Sequence, residues 1–466
     1  MIELRVEEVA GATDGRVEGD PAVVVDAVAT DSRAMPSGRP LFVALPGEQA
    51  DGHAFAADAV ARGALAVLAS RPLPDLAVPV VVVADTWVAL RRLAGAVRRR
   101  VDPVAVAITG SVGKTTVKDL TAAAVGAAHR THAASGSYNN ELGVPLTLLG
   151  IAGDTEVVVT EVGARRVGDI DLLGRLVAPD VAVVTAVAGV HLELFGTLDA
   201  VARTKAELVA CLDPDGVAVL NVADPRVAAM AERAPSVLRV GTDVADADVR
   251  ATRVVLDRRA RAAAEIATPW GPTEVRLPVA GRHHVLNALL ALAVAGHLGG
   301  DLDAAAAAIA RAAVSPWRGA VDEAGGVVVV NDAYNSNPLA AAAALDTLQA
   351  IERTGRTWAV LGLMAEIGAT SYDEHRALGR RCAEHGVDHL VVVGADAAPM
   401  AAGAVDAGMP PGNVEEVDDA AAALALLVPR VGPGDVVLVK ASRVAGLEAV
   451  ADGLVAARRD AAEVGS

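Results

Sequence analysis

Aromatic side chains are scarce: Phe, Trp and Tyr make up 2% of a 466-residue chain that is 53% apolar. Ala, Val and Leu must therefore fill its cores. Cysteine is nearly absent, and two residues, Cys211 and Cys382, exclude a disulfide framework and read as packed, reduced thiols. No apolar run is long and uncharged enough to span a bilayer, so membrane insertion is not expected. The opening segment, MIELRVEEVAGA, carries acids and lacks a basic stretch followed by an apolar one, so it does not read as a signal peptide and a cytoplasmic location is expected. Positive charge is also short. The formal net charge of −17 excludes a general affinity for nucleic acid, though a local site can still hold an anion. Lysine is the rarest cation, with four residues among 41 Lys and Arg. The Arg preference and the abundance of Ala match the coding bias of a GC-rich genome and carry no function.

The length suits two to four domains. Three composition blocks divide it, 1–100, 101–313 and 314–466. The first mixes short Val-rich runs with loops, and its Pro-rich stretch 73–79 breaks any helix. The second has apolar runs at 104–108, 156–160, 181–185 and 217–221 separated by Ala-rich helical sequence, with antiparallel strands expected in 249–278 and a buried helix over 287–298. The third repeats the rhythm at 327–330, 358–361, 390–393 and 436–439. Alternating strand and helix predicts an α/β protein with mainly parallel sheets covered on both faces. The third block resembles a dinucleotide-binding fold in rhythm but has no G-x-G-x-x-G, so no nicotinamide site is expected.

Chemistry first appears after residue 108. Thr109-Gly110-Ser111-Val112-Gly113-Lys114-Thr115-Thr116 follows an apolar strand and precedes an amphipathic helix expected over 117–128. Glycines let backbone N–H groups converge on phosphate oxygens, and the helix N-terminus adds partial positive charge. Lys114, expected as an exposed loop lysine, would reach the β/γ-phosphates, and Thr115 would offer a hydroxyl to Mg2+. ATP and Mg2+ are the expected cofactors. The common G-x-x-x-x-G-K-T pattern is not met, because Ile108 stands at its first Gly; the loop is the shorter T-G-S-x-G-K-T form. In a chain so biased to Arg, each retained Lys is a candidate for a task Arg cannot perform. A primary amine can react with CO2 to give a carbamate, which a guanidinium cannot. By position alone, Lys205 reads either as such a group or as a solvated helix lysine.

Taken together, the motifs resemble the Mur ligases over nearly the whole chain. In the first block, Thr30-Asp31-Ser32-Arg33 and Asp51-Gly52-His53 look like the family's uridine-nucleotide-sugar domain, which makes Ser32, Arg33, Asp51 and His53 expected substrate contacts. Ser137-Tyr138-Asn139-Asn140-Glu141-Leu142-Gly143-Val144-Pro145 resembles an N-x-N-N-E-x-G-x-P signature and adds Asn139 and Asn140. Glu161-Val162-Gly163-Ala164 resembles the segment carrying the metal-binding Glu. His191-Leu192-Glu193-Leu194-Phe195-Gly196 precedes Lys205 by the spacing of the family's second-metal His and carbamylated Lys. Gly281-Arg282-His283-His284-Val285-Leu286-Asn287 resembles the adenine-contacting segment. Arg318, the run Asn331-Asp332-Ala333-Tyr334-Asn335-Ser336-Asn337-Pro338 and Lys440-Ala441-Ser442-Arg443 resemble third-domain signatures. Three departures stand out. Asn331 replaces an acid, Leu363 replaces an acid in Gly362-Leu363-Met364-Ala365-Glu366-Ile367-Gly368, and His284 stands where Asn is frequent.

The resemblance implies a small nucleotide-sugar domain, a central P-loop ATPase domain and a C-terminal Rossmann-like domain that closes over ATP. It implies an ATP-dependent carboxylate–amine ligase of peptidoglycan precursor synthesis. Thr115, Glu161, His191 and the Lys205 carbamate would hold metal; Asn287, Arg318 and Asp332 would contact ATP. Lys114 and Arg318 would offset charge as a carboxylate becomes an acyl phosphate that an amine then attacks. The implied substrates are UDP-N-acetylmuramoyl-tripeptide and D-alanyl-D-alanine, the latter near Tyr334, Asn335, Ser336 and Asn337, with the chain a monomer. Two rivals stay open on sequence. One is a sister ligase adding a single amino acid, although no D-N-P-R motif is present. The other is a P-loop switch, which would have no need of the first block's signatures.

Overall fold

The computed structural model describes residues 1–189 and 192–464. The first of its larger sheets has five strands in the order Arg16–Glu18, Val80–Val82, Ala66–Ala69, Pro40–Val43, Ala27–Ala29. The pairing is parallel except between the first two. Helix Thr86–Val101 closes this region. Asp85 caps it by accepting from Val88 N–H at 3.0 Å, and Arg98, Arg99 and Arg100 in its last turn complement the helix dipole.

The second sheet has nine strands. Val249–Leu256, Ser236–Gly241, Val217–Asn221, Val181–Val184, Val104–Thr109, Val157–Glu161 and Thr131–Ala133 run parallel in that order, and Arg261–Ala267 and Thr273–Ala280 extend it antiparallel. The unbroken Val runs at its centre match burial on both faces. The meander shows alternation instead, with Thr273–Ala280 buried mainly at every second residue. Helix His284–His297 packs on helix Lys114–Val125, and its apolar residues lie in one core with those two strand groups. Both helices begin three residues earlier than the apolar pattern suggests. Gly113 (φ 81°) caps one directly, and Gly281 (φ 115°) turns the chain into the other, so polar first-turn residues are already helical.

The third sheet has six strands in the order Ala320–Ala324, Val327–Asn331, Val436–Lys440, Thr357–Gly362, His389–Val393, Val414–Val417, parallel except at the first hairpin. Separate apolar clusters cover its two faces, as a doubly wound sheet requires. Trp358 lies fully buried in one of them. Among the described residues no helix is long and apolar enough to cross a membrane.

Candidate active site

Strand Val104–Thr109 lies between Val157–Glu161 and Val181–Val184, where the strand order reverses and a crevice opens beyond the carboxyl ends. The Gly-rich loop fills that position. Gly110 (φ 147°) passes so close to Thr185 that a Cβ there would lie 1.9 Å from its Oγ1. Thr185 Oγ1 donates to Val112 O at 2.5 Å, and Ser111 N–H donates to Ala186 O at 2.8 Å. Ser111 Oγ donates to Ala188 O at 3.0 Å and Thr109 Oγ1 to Val162 O at 2.8 Å. Thr116 is buried in the first helical turn. Lys114 is the first residue of this helix and partly buried, a correction to the exposed loop lysine expected from sequence. Its Nζ folds back to donate to Gly110 O at 2.9 Å. Burial holds its pKa below the usual lysine value, as does the nearby Arg318 charge, while Glu161 opposes both.

Glu161 ends its strand almost fully buried, and both oxygens are engaged. Thr115 Oγ1 donates to Oε2 at 2.7 Å, and Asn139 Nδ2 donates to Oε1 at 2.6 Å. Asn139 therefore orients the acid. Asn140 accepts from Gly143 N–H at 2.8 Å and fastens the turn into helix Gly143–Leu149. Lys205 is buried on helix Leu198–Ala210, which Thr197 caps. Burial, then the Lys114 charge, push its pKa down to about 7, against the pull of Glu207, Glu161 and Asp169. An amine held there is substantially neutral near pH 7 and hence nucleophilic. His191 lies outside the described residues. Among the described residues no three His, Cys, Asp or Glu side chains form a ready metal cage. The Thr115 hydroxyl and the Glu161 carboxylate are hard oxygen donors beside a phosphate loop, which fits Mg2+ with substrate oxygens and water completing its shell.

The third region reaches this crevice through Arg318. Its guanidinium lies 3.9 Å from the centre of the Tyr334 ring, and its buried Nε has no hydrogen-bond partner among the described residues. Trp317 before it has φ 60° and packs under Arg443 at 4.2 Å. Asn287 lies in the first turn of its helix, where its Oδ1 would be 2.9 Å from a Cβ on Gly113 and its Nδ2 is 3.1 Å from His284 Nδ1. Burial holds His284 well below the usual histidine pKa, so it is neutral. Asp332 is bound by Lys440 at 2.6 Å. Asn335 is exposed and accepts from Ser336 N–H at 2.9 Å. Ser336 is buried, its carbonyl accepting from Ser442 Oγ at 3.3 Å. Asn337 caps helix Pro338–Ala350 by accepting from Ala340 N–H at 2.9 Å. It also lines a cleft of about 150 Å³ with Gly189, Leu339, Ile367, Thr370 and Glu374.

In the first region Ser32 is buried and Arg33 is exposed, paired with Asp31 at 2.8 Å. His53 is buried and both ring nitrogens are used. Ser70 N–H donates to Nε2 at 2.9 Å, which leaves the proton on Nδ1, 2.5 Å from Asp51 Oδ1. The imidazole thus offers no free nitrogen to a ligand, contrary to its expected role as a direct contact, and instead orients Asp51. That carboxylate is held down to about 2 by His53 and by Arg71. Arg71, 3.1 Å from Asp51, was not singled out by sequence, because it belongs to no motif and lies 20 residues from its partner.

Comparison with known proteins meets this geometry. A UDP-N-acetylmuramoyl-tripeptide--D-alanyl-D-alanine ligase from Mycobacterium tuberculosis is 42% identical, with 98% of each chain covered. The chain belongs to the Mur ligase family. The family's catalytic domain matches residues 24–97, its middle domain 108–295 and its glutamate ligase domain 319–443. A crystal structure of MurF from Acinetobacter baumannii superposes with a TM-score of 0.87 at 31% identity, covering 97% of this chain and 99% of that one. A MurF ligase from Thermotoga maritima in complex with ADP gives 0.82 at 28% identity, covering 94% and 99%. The α/β fold with its P-loop and Rossmann-like sheets is that of this Mur ligase.

Proposed function

We propose that this chain adds D-alanyl-D-alanine to UDP-N-acetylmuramoyl-tripeptide in peptidoglycan precursor synthesis, using ATP and passing through an acyl phosphate. The observation carrying this reading is the convergence of Lys114, Thr115, Glu161 and Lys205 beyond one strand end, with Arg318 reaching them from the third sheet. The full-length likeness to ligases named for that reaction supports it.

Thr109, Gly110, Ser111, Val112, Gly113, Lys114, Thr115 and Thr116 would hold the ATP phosphates at the positive end of helix Lys114–Val125. Asn287 and Asp332 would contact the nucleoside. Thr115 and Glu161 would hold one Mg2+, and His191 with a Lys205 carbamate would hold a second metal; when bound, the ions would offset phosphate charge and orient the transferred group. Lys114 and Arg318 stabilise the charge that develops as the substrate carboxylate attacks the γ-phosphorus. ADP leaves, and the amine of the dipeptide attacks the acyl phosphate, giving an amide and phosphate after loss of the amine proton. Ser32, Arg33 and Asp51 bind the sugar nucleotide, with Arg71 beside them. Asn335 and the cleft at Asn337 take the dipeptide, where Glu374 faces its ammonium end. Closing the third domain excludes water from the acyl phosphate. Such an enzyme works in the cytoplasm as a monomer, without membrane or nucleic acid.

Purified protein with ATP, the UDP-sugar tripeptide and D-alanyl-D-alanine tests this by product mass. The expected product is the condensed pair less one water, with one phosphate released per product. Addition of a single amino acid in preference to the dipeptide would assign a sister ligase. Phosphate release indifferent to both substrates would assign a switch.

A further inference from the structure

Two loops meet across the junction between the nine-stranded and six-stranded sheets. Ser137 Oγ, on the segment after strand Thr131–Ala133, hydrogen-bonds the hydroxyl of Tyr334. The same Tyr334 ring lies under the Arg318 guanidinium, and Tyr334 N–H donates to Trp317 O at 3.1 Å. One tyrosine therefore touches the opposite domain with its hydroxyl and the arginine with its face.

Both ends of this contact are anchored by buried lysines that the mechanism does not use. Lys118 Nζ donates to Ala134 O at 2.6 Å and Gly136 O at 2.8 Å, and pairs with Asp119 at 2.7 Å. Asp119 in turn accepts from Ser315 N–H at 2.8 Å, three residues before Arg318. Lys440 Nζ donates to Asn335 O at 2.9 Å and to the Asp332 carboxylate at 2.6 Å, pinning the loop that bears Tyr334. An ammonium directs three N–H bonds outward from one point, whereas a guanidinium spreads its donors in a plane. These two sites need the former, which accounts for both lysines in an Arg-biased chain. Each of the two loops is thus pinned within its own region.

We propose that Tyr334 is a positioning residue: its hydroxyl, docked on Ser137, makes the placement of Arg318 over the phosphate loop conditional on closure of the two domains. The inference rests on the ligase reading. Arg318 has an unpartnered Nε, so stacking on the tyrosine is what its described surroundings supply to orient it. Without the Ser137 contact the ring is free to turn, and the guanidinium loses its aim at the γ-phosphate while nucleotide binding by the loop stays intact.

The test is a pair of double-mutant cycles on kcat and on KM for ATP. Tyr334→Phe and Ser137→Ala each keep the stacking ring and should lower kcat about fivefold, the effect of one hydrogen bond, with KM for ATP unchanged. The double variant should be no slower than either alone. Tyr334→Ala should approach Arg318→Ala, roughly 100-fold down in kcat, and add nothing to it. Wild-type kcat in Tyr334→Phe, or multiplicative losses in either pair, would overturn the proposal. A wild-type enzyme that forms no product overturns the ligase reading instead, so the two failures are separable. Unchanged melting temperatures in the conservative variants exclude a folding effect.

Discussion

The two junctions of this molecule are built differently. Where the first sheet meets the second, Leu90, Leu93 and Val97 share one apolar cluster with Val144, Leu148, Ile170 and Leu173. Buried Arg98 seals its edge by donating to Val177 O at 3.1 Å. Where the second meets the third, Ala260 and Ala280 are the central-region residues, among those described, that enter the third region's cores. Polar contacts also cross it, among them Ser315 to Asp119, Ser137 to Tyr334, Arg165 to Glu366 at 3.7 Å, and Glu352 N–H to Arg258 O at 3.0 Å. Each buried Leu of the first junction would expose area worth about 1.5–3 kcal/mol on opening. Polar contacts exchange with water at small net cost, so the second junction can open and reclose. On the proposed reading, the chemistry lies at the junction able to open.

The contrast should appear most strongly at Lys205, in the crevice beside the mobile junction. Lys205→Arg keeps a cation but cannot form a carbamate, and kcat should fall by about 10³ with the melting temperature nearly unchanged. Full activity in that variant would eliminate the carbamate. In metal-free protein, isotope-labelled CO2 uptake at Lys205 should decline as pH drops from 8 to 6. An amine titrating at about 7 is then increasingly protonated, and only the neutral form reacts. Uptake that is flat over this range would mean the amine is not the reacting group.

At the fixed junction the expected pattern is inverted. Leu93→Ala should lower unfolding free energy by about 2–5 kcal/mol in urea titrations, with kcat and both KM values within about twofold. A large kcat loss there would show that the first junction also moves during turnover. Arg33→Ala should raise KM for the UDP-sugar tripeptide about tenfold and leave that for D-alanyl-D-alanine alone. Equal changes in both would dissolve the division between the regions. The smallest effect is expected for Arg165→Ala, within about twofold in kcat and vanishing at high salt, because an exposed pair is weak and screened.

Much of the fold was legible in the sequence, and where an expectation failed the reason is physical. Val217–Asn221 has the same bounds in pattern and structure, since a buried parallel strand is an unbroken apolar run. Helix starts were misplaced at Lys114 and His284 because first-turn residues there are polar or serve the site, and periodicity sees only the buried face. His53 looked like a ligand contact because a motif names a residue without saying which of its nitrogens are already occupied. Lys118 drew notice only through its rarity and Lys440 through rarity and a motif, but neither told its task, which depends on carbonyls up to 108 residues away.

By itself, the sequence determined what is local. A strand, a Gly-rich loop and a helix start dictate a phosphate site, because backbone conformation there depends on neighbouring residues alone. Scarcity of lysine marked four positions, all of which prove partly or fully buried. Only tertiary structure decided the pairings: Asn139 on Glu161, Arg318 on Tyr334, Tyr334 on Ser137. Each joins segments whose approach is set by how the sheets and helices pack, and no short-range propensity encodes which distant side chain completes a given hydrogen bond.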